Sequence, residues 1–280
     1  FDLVFIDEAA QGLEAATWIP ILKAKKVIFA GDHCQLPPTI KSIDAARQGL
    51  STTLFEKMIQ RHPHAAQMLQ VQYRMPEVIM GFSNAQFYEG KLEAAANTLS
   101  HPFGGEEAIL EWVDTAGSGY SEQAEAESLS TFNPEEAQFV CQYLNDTILR
   151  IGFGLFKEKG WTIGLIAPYS AQVRRLRHLI FETYAFPNLR AFADLITIDT
   201  VDGFQGQERD LMLISLTRSN DRGEIGFLSD KRRLNVALTR AKRKLIVVGD
   251  SSTLAQHDFF DSLLRYVEEN GSYKSVWEFL

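Results

Sequence analysis

Asp7 and Glu8 close an apolar run, Leu3–Ile6, with the composition of a strand, so both carboxylates are expected at a strand's C-terminal end. Ligands of open α/β sheets gather at such ends. One carboxylate there can hold Mg²⁺ through water while its neighbour orients or deprotonates an attacking water. The same two letters also describe a surface acidic pair. A second apolar run, Lys26–Ala30, leads into Gly31-Asp32-His33-Cys34-Gln35-Leu36-Pro37-Pro38. Glycine permits a tight turn, Gln35 offers an amide able to reach a γ-phosphate or its water, and the two prolines stiffen the loop by fixing φ. An ordinary strand-end turn would look similar. His33 and Cys34 are adjacent and lack a partner cluster, which argues against a metal site.

Three further segments carry phosphate chemistry. Arg74 stands before Met75-Pro76, where proline disfavours helix at the preceding residue; a guanidinium so placed can clamp phosphate, or simply pair on the surface. In Thr200-Val201-Asp202-Gly203-Phe204-Gln205-Gly206-Gln207-Glu208, two glycines allow backbone N–H groups close to a ligand. Glu208 can accept from a ribose hydroxyl or position another phosphate-binding group, and Thr200 and Asp202 stand where a nucleic-acid backbone is reachable; a glycine hairpin is the plain alternative. Lys231 to Lys244 holds seven basic residues and no acid. Read as one helix, it places Leu234, Leu238 and Ala241 on a docking face. Arg233 and Arg240 then lie about 20° apart on another face, able to reach a triphosphate or only solvent.

These residues need a frame to hold them. Strand-like runs at Leu3–Ile6, Lys26–Ala30, Met68–Val71, Thr162–Ala167, Leu195–Thr200, Leu211–Leu216 and Leu245–Val248 alternate with helical patterns. That alternation predicts an α/β fold with a parallel sheet whose strands are covered on both faces. Asn133-Pro134 reads as a helix cap followed by apolar Ala137, Val140, Cys141, Leu144 and Ile148 at helical spacing. Ser170 reads as the cap of a second helix with Val173, Leu176 and Ile180 inward. The Gly-, Ser- and Glu-rich stretch from Asp114 to Phe132 reads as a solvated loop, and a domain boundary is expected near Tyr73–Pro76.

The chain has 280 residues, 45% hydrophobic and 23% charged, a mix suited to a globular protein of one large or two ordinary domains. No apolar run reaches the roughly 18 residues a membrane helix needs. The opening FDLVFIDEAA has no basic start and reads as a strand entered in mid-domain. Cys34 and Cys141 provide no disulfide framework, which fits a reducing cytoplasm. Net charge is −8, so the total gives no argument for a nucleic-acid partner, but the charge is uneven: nine acids and no Lys or Arg lie from Glu106 to Glu136. Screening confines distant charges to roughly 8–10 Å, so the basic 231–244 face can still bind phosphates.

Taken together, DEAAQ, GDHCQLPP, QYRMP, TVDGFQGQE and RRLNVALTRAK resemble, in order and approximate spacing, motifs II to VI of superfamily 1 helicases. The chain is most similar to the Upf/SMUBP group of superfamily 1B, with IAPYSAQ resembling an additional motif of that group, and the likeness extends over essentially all 280 residues. The resemblance implies a RecA-like α/β parallel sheet flanked by helices, of the P-loop NTPase type. It implies Mg²⁺ on Asp7, a catalytic base in Glu8, a γ-phosphate sensor in Gln35, phosphate contacts from Arg74, and Arg240 as the arginine finger. Gly206 and Glu208 would complete the nucleotide cleft, and Thr200, Pro168 and Tyr169 would touch the nucleic-acid backbone. The implied activity is ATP-driven movement along single-stranded DNA or RNA, 5′ to 3′, by a cytoplasmic monomer.

The pattern departs from the group in one respect: no G-x-x-x-x-G-K-[ST] phosphate loop occurs in the 280 residues. Residues 1–72 therefore read as the C-terminal remnant of a first RecA-like domain and 73–280 as a complete second one, inactive without the upstream part. The other readings are a nucleic-acid-binding module with a degenerate ATPase, and an ATPase that remodels protein partners.

Overall fold

Short β-branched runs form the strands, and their burial tells which have helices on both sides. The computed structural model describes residues 1–100, 103 and 108–280, apart from the side chains of Ile43, Leu99 and Ser100. Glu106 and Glu107, the first two acids of the acidic run, lie outside the described residues. The chain divides into two compact units, Phe1–Gln70 and Val71–Leu280.

In the first unit, β1 (Val4–Ile6) and β2 (Val27–Phe29) form a parallel pair with Val4 opposite Val27. The helix Glu14–Ile21 lies between them in sequence. The helix Leu54–Arg61 starts with a full capping box, Thr53 and Glu56 each accepting the other's backbone N–H. Coverage on both faces is not met here: Phe5 and Ile28 are exposed. Two three-residue strands present too little surface to sandwich themselves.

The second unit begins with β3 (Val71–Gln72), which pairs with β4 (Glu93–Ala94). The expected strand Met68–Val71 thus survives only in its last residue. Then come β5 (Leu110–Asp114), the antiparallel pair β6 (Gln123–Ala124) and β7 (Thr131–Phe132), β8 (Ile163–Ala167), β9 (Ile196–Thr200), β10 (Arg209–Ser215), β11 (Ala241–Gly249) and β12 (Ser272–Ser275). Six of them make an all-parallel sheet in the order β12-β5-β11-β10-β8-β9.

Alternation divides this sheet between two cores. Leu211, Leu213, Ile246 and Val248 join the cluster that includes Val140, Leu144 and Ile148 of the helix Pro134–Ile151 and Val173 and Leu176 of the helix Ser170–Arg177. Met212, Ile214, Leu245 and Val247, one residue out of phase, are equally buried on the opposite face. There the helices Glu77–Phe87 and Asp258–Asn270 cover β11 and β5, with Phe82 edge-on to Phe259 at 5.2 Å.

Asn133 caps its helix by accepting from the Glu136 N–H at 3.0 Å, with Pro134 at the first position, in line with the sequence. Ser170 does not cap: it is itself the first helical residue, and Ser130 from the preceding loop accepts the Ala171 N–H instead. The stretch 114–132 is likewise no simple solvated loop. It carries β6, packs Tyr120 against the core and sends Glu122 to Arg218 at 2.9 Å, while 117, 119, 121, 123–124 and 126–129 are exposed.

Two buried carboxylates shape the second unit. Glu111 on β5 accepts from Lys244 at 2.7 Å, from Lys274 at 3.2 Å and from the Tyr143 hydroxyl at 2.7 Å. Glu136 accepts from the Ser215 hydroxyl and from the Thr217 N–H at 2.8 Å, while its second oxygen has no hydrogen-bond partner among the described residues. Burial, only partly countered by Ser215 and Thr217 and reinforced by the charges of Asp250 and Glu122, pushes the Glu136 carboxyl from the ordinary 4.5 to about 7.

Candidate functional site

In the first unit the candidate residues collect at the C-terminal ends of β1 and β2. The Ala9 N–H donates to the Ala30 carbonyl at 2.8 Å, binding the turn after β1 to the end of β2. Gly31 makes this approach possible, since a Cβ there would come within 3.0 Å of the Ala9 nitrogen. Asp7 uses one carboxylate oxygen to accept the Glu8 N–H at 2.9 Å. Glu8 adopts a left-handed φ of 49°, a conformation that costs a side-chain-bearing residue energy and aims it away from the strand direction. Gln11 donates to the Glu8 carboxylate at 2.6 Å and fixes it. Gln35 donates to Asp32 at 2.7 Å, while the other Asp32 oxygen accepts from the Cys34 N–H. The donor atoms of Asp32, His33 and Cys34 lie within 4.8 Å of one another, but Asp32 is committed to shaping its own loop.

In the second unit the phosphate-type residues converge at the N-terminal edge of the sheet. Arg209 opens β10 opposite Ala241 of β11, so Glu208 and Arg240, each one residue earlier, come side by side. Arg74 joins them from 134 positions away: its Nε donates to Glu208 at 2.7 Å and its Nη1 to the Thr239 carbonyl at 3.1 Å. Gln72 holds Arg74 in place, its side-chain oxygen accepting the N–H groups of both Arg74 and Met75. Lys242 lies 3.6 Å from the other Glu208 oxygen. Partial burial alone would raise the Glu208 carboxyl; the hydrogen bond and charge of Arg74, with Lys242, outweigh it and hold the group below the usual carboxylate range.

Arg240 departs from the single-helix reading. The helix ends at Leu238, Thr239 is its C-cap and Ala241 already belongs to β11, so Arg240 sits in the turn between them, and Ala241 leaves the helix face assigned to it. Its guanidinium is buried, donating to the Val236 carbonyl at 3.0 Å, to the Thr239 hydroxyl at 3.0 Å and to the Gln207 carbonyl at 3.4 Å. Arg233, the other residue of the supposed arginine face, pairs instead with Asp202 and Asp230. Gly206 turns its loop with a φ of 72°.

Pro168, Tyr169 and Thr200 lie at the opposite, C-terminal edge. Ala167 and Thr200 are register partners that end β8 and β9. Roughly 15–20 Å of strand, at about 3.3 Å per residue, separates them from the Arg74–Glu208–Arg240 group. The region between β9 and β10 is not a hairpin, because β8 lies between the two strands. A Cβ at Gly203 would fall 2.4 Å from the Asp199 carboxyl carbon, so any larger residue there displaces that side chain. Tyr169 is not available to a ligand: its ring is 5% exposed and its hydroxyl accepts from Arg218 at 3.1 Å and the Phe227 N–H at 3.2 Å. It supports the segment 218–229 instead. Pro168 and Thr200 remain half-buried at the edge.

Gln72, Lys242 and Arg218 were not among the expected residues. Gln72 was legible in principle, two residues before an arginine that must be aimed; the partners of Lys242 and Arg218 come from distant segments. Among the described residues, no helix is long and apolar enough to cross a membrane.

Residues 50–252 match a family described as "AAA domain", and residues 1–43 match a second family of the same description. The chain is 39% identical over 293 residues to the DNA-binding protein SMUBP-2 of Mesocricetus auratus, an alignment covering 100% of this chain and 28% of that protein. It is 38% identical over 294 residues to an uncharacterized ATP-dependent helicase of Methanocaldococcus jannaschii, covering 99% of this chain and 40% of the relative. With the DNA polymerase alpha-associated DNA helicase A of Saccharomyces cerevisiae it shares 36% identity over 308 residues, covering 100% and 43%. The chain thus spans less than half the length of each of these relatives.

Proposed function

This chain belongs to the AAA-domain family, in the Upf/SMUBP group of superfamily 1 helicases, and from that membership we propose that it is the C-terminal part of an ATP-dependent motor moving 5′ to 3′ along single-stranded DNA or RNA. In this reading the first compact unit, with a boundary expected at 1–72, is the remnant of a first RecA-like domain, and the second unit, expected at 73–280 and beginning at Val71, is the second. The observation that carries this reading is the convergence of Arg74, Glu208 and Arg240, from three separate segments, at one sheet edge. A module that only binds has no chemical need for Asp7, Glu8, Gln35, Arg74 and Arg240 together, whereas phosphoryl transfer needs positive charge aimed at developing negative charge.

In this reading Glu8, fixed by Gln11, takes the proton of the attacking water, and Gln35, oriented by Asp32, senses the γ-phosphate. Asp7 presents an exposed carboxylate with one oxygen engaged by a backbone N–H, a hard oxygen donor of the kind Mg²⁺ takes through water. Bound there, the ion supplies charge neutralisation at the phosphates. Glu208 aims Arg74, and Gly206 lets the loop backbone approach the nucleotide. For Arg240 to act as the finger, a phosphate oxygen replaces one of its contacts, such as the 3.4 Å bond to the Gln207 carbonyl. Pro168 and Thr200 face the nucleic-acid strand. The chain contains no phosphate-loop motif, so efficient hydrolysis requires residues beyond these 280.

The test is steady-state ATP hydrolysis by the full-length protein with and without single-stranded DNA and RNA, alongside Arg240→Ala. Strong stimulation lost in the variant is expected. Hydrolysis indifferent to nucleic acid would replace this reading with a protein-remodelling ATPase, and no hydrolysis with a degenerate binding module.

A further inference from the structure

Phe227 is a large apolar side chain held rigidly in solvent. Its ring is 61% exposed, while the next residue, Leu228, is buried and anchors the segment. One face of the ring lies against Tyr169, centroids 5.4 Å apart and planes inclined by 32°. The buried Tyr169 hydroxyl accepts the Phe227 N–H at 3.2 Å and is itself fixed by Arg218, whose guanidinium also sits over the Tyr169 ring at 5.9 Å. Gly226, with a φ of 51°, leaves no room for a side chain: a Cβ would fall 2.5 Å from both the Arg218 Nη1 and the Tyr169 hydroxyl. A buried hydroxyl, a buried arginine and a left-handed glycine thus all serve to hold an exposed phenylalanine.

The buried groups are satisfied within the fold, Arg218 also pairing with Glu122 at 2.9 Å, and the apolar surface they leave in solvent is the Phe227 ring. A ring immobilised before its ligand arrives loses little entropy on binding. Tyr169 follows directly on Pro168 at the C-terminal edge of the sheet, the edge that also carries Thr200. We propose that Phe227 is a stacking platform for one nucleobase of the single strand, with Tyr169 and Arg218 as its positioning residues. This rests on the nucleic-acid reading of the same edge. Stacking on an aromatic tolerates any base and adds no phosphate contact. Phe227 therefore contributes to affinity without contributing to its salt dependence.

The experiment compares the full-length protein with Phe227→Ala and Phe227→Trp by fluorescence anisotropy. The probes are an oligothymidine strand and a sugar-phosphate strand of equal length lacking bases. Phe227→Ala is expected to weaken oligothymidine binding roughly 5- to 150-fold, the range for loss of one stacked base, with the slope of log K against log salt unchanged. Binding of the abasic strand and the melting temperature stay the same. Phe227→Trp retains affinity, and its indole fluorescence is quenched by oligothymidine but not by the abasic strand. Equal oligothymidine affinity of wild type and Phe227→Ala overturns the platform while leaving the motor reading intact. A parallel loss for the abasic strand likewise overturns it, since a base would not be the ligand. Wild type that binds no strand at all overturns both.

Discussion

Glu136→Gln should flatten a pH dependence that this carboxyl imposes on stability. The glutamine is close to isosteric and keeps an acceptor for Ser215 and for the Thr217 N–H, which Glu136 holds in place at a left-handed φ of 71°. Folding raises the group from 4.5 to about 7, so the native state binds the proton more tightly than the unfolded one. The stabilisation from that proton is fully present below about 4.5 and is lost as pH rises through about 7. Two and a half units at 1.36 kcal/mol each amount to about 3 kcal/mol, and full burial means little solvent screening reduces it. Urea unfolding of both chains at pH 5, 6, 7 and 8, followed by circular dichroism, gives the difference in unfolding free energy at each pH. Wild type should lose about 1.4 kcal/mol per pH unit relative to the variant up to about pH 7, then run parallel to it. A difference constant to within about 0.5 kcal/mol from pH 5 to 8 would mean that Glu136 is ionised in the fold at no cost, and would refute the argument.

Three other outcomes are expected. Lys244→Met removes the closest cation from buried Glu111 and should cost about 3–5 kcal/mol in chemical denaturation, while Lys244→Met with Glu111→Leu recovers most of it. Glu208→Gln releases an ion pair that is partly exposed, so stability changes by less than about 1 kcal/mol. Its nucleic-acid-stimulated ATP turnover should nevertheless fall at least about tenfold, because Arg74 is no longer aimed. Burial pushes the Cys141 thiol well above its ordinary range, so a thiol reagent at pH 8 should modify half-buried Cys34 in the native protein and reach Cys141 only in denaturant.

The central strands were legible in the sequence because β8, β10 and β11 contain uninterrupted apolar runs and β9 alternates Ile-Thr-Ile, and the Asn133-Pro134 cap was legible because capping is local chemistry. Strand β5 was not, since Leu-Glu-Trp-Val-Asp carries two acids whose burial depends on partners that arrive from Lys244, Ser251 and Lys274. Polar β12 has no apolar signal at all. Of the candidate site, the residue types were readable but not their grouping. Periodicity carried the Lys231–Leu238 helix one turn too far, which put Arg240 on an open face instead of in a buried turn. The family resemblance made Tyr169 a ligand contact, and nothing local in the sequence reveals that Arg218 and Phe227, 49 and 58 residues on, close over its hydroxyl.

The position of β5 bears on how the protein is made. Its two neighbours in the sheet, β11 and β12, come from the last 40 residues of the chain, while β5 itself ends at Asp114. At 5–20 residues per second, a ribosome takes roughly 8–30 s to travel from one to the other. Until β11 has been made, Trp112 and Val113 have neither neighbouring strand and Glu111 has neither of its lysines. The second unit therefore cannot be completed piecemeal from its N-terminal side. Its sheet is complete only after synthesis has passed Ser275.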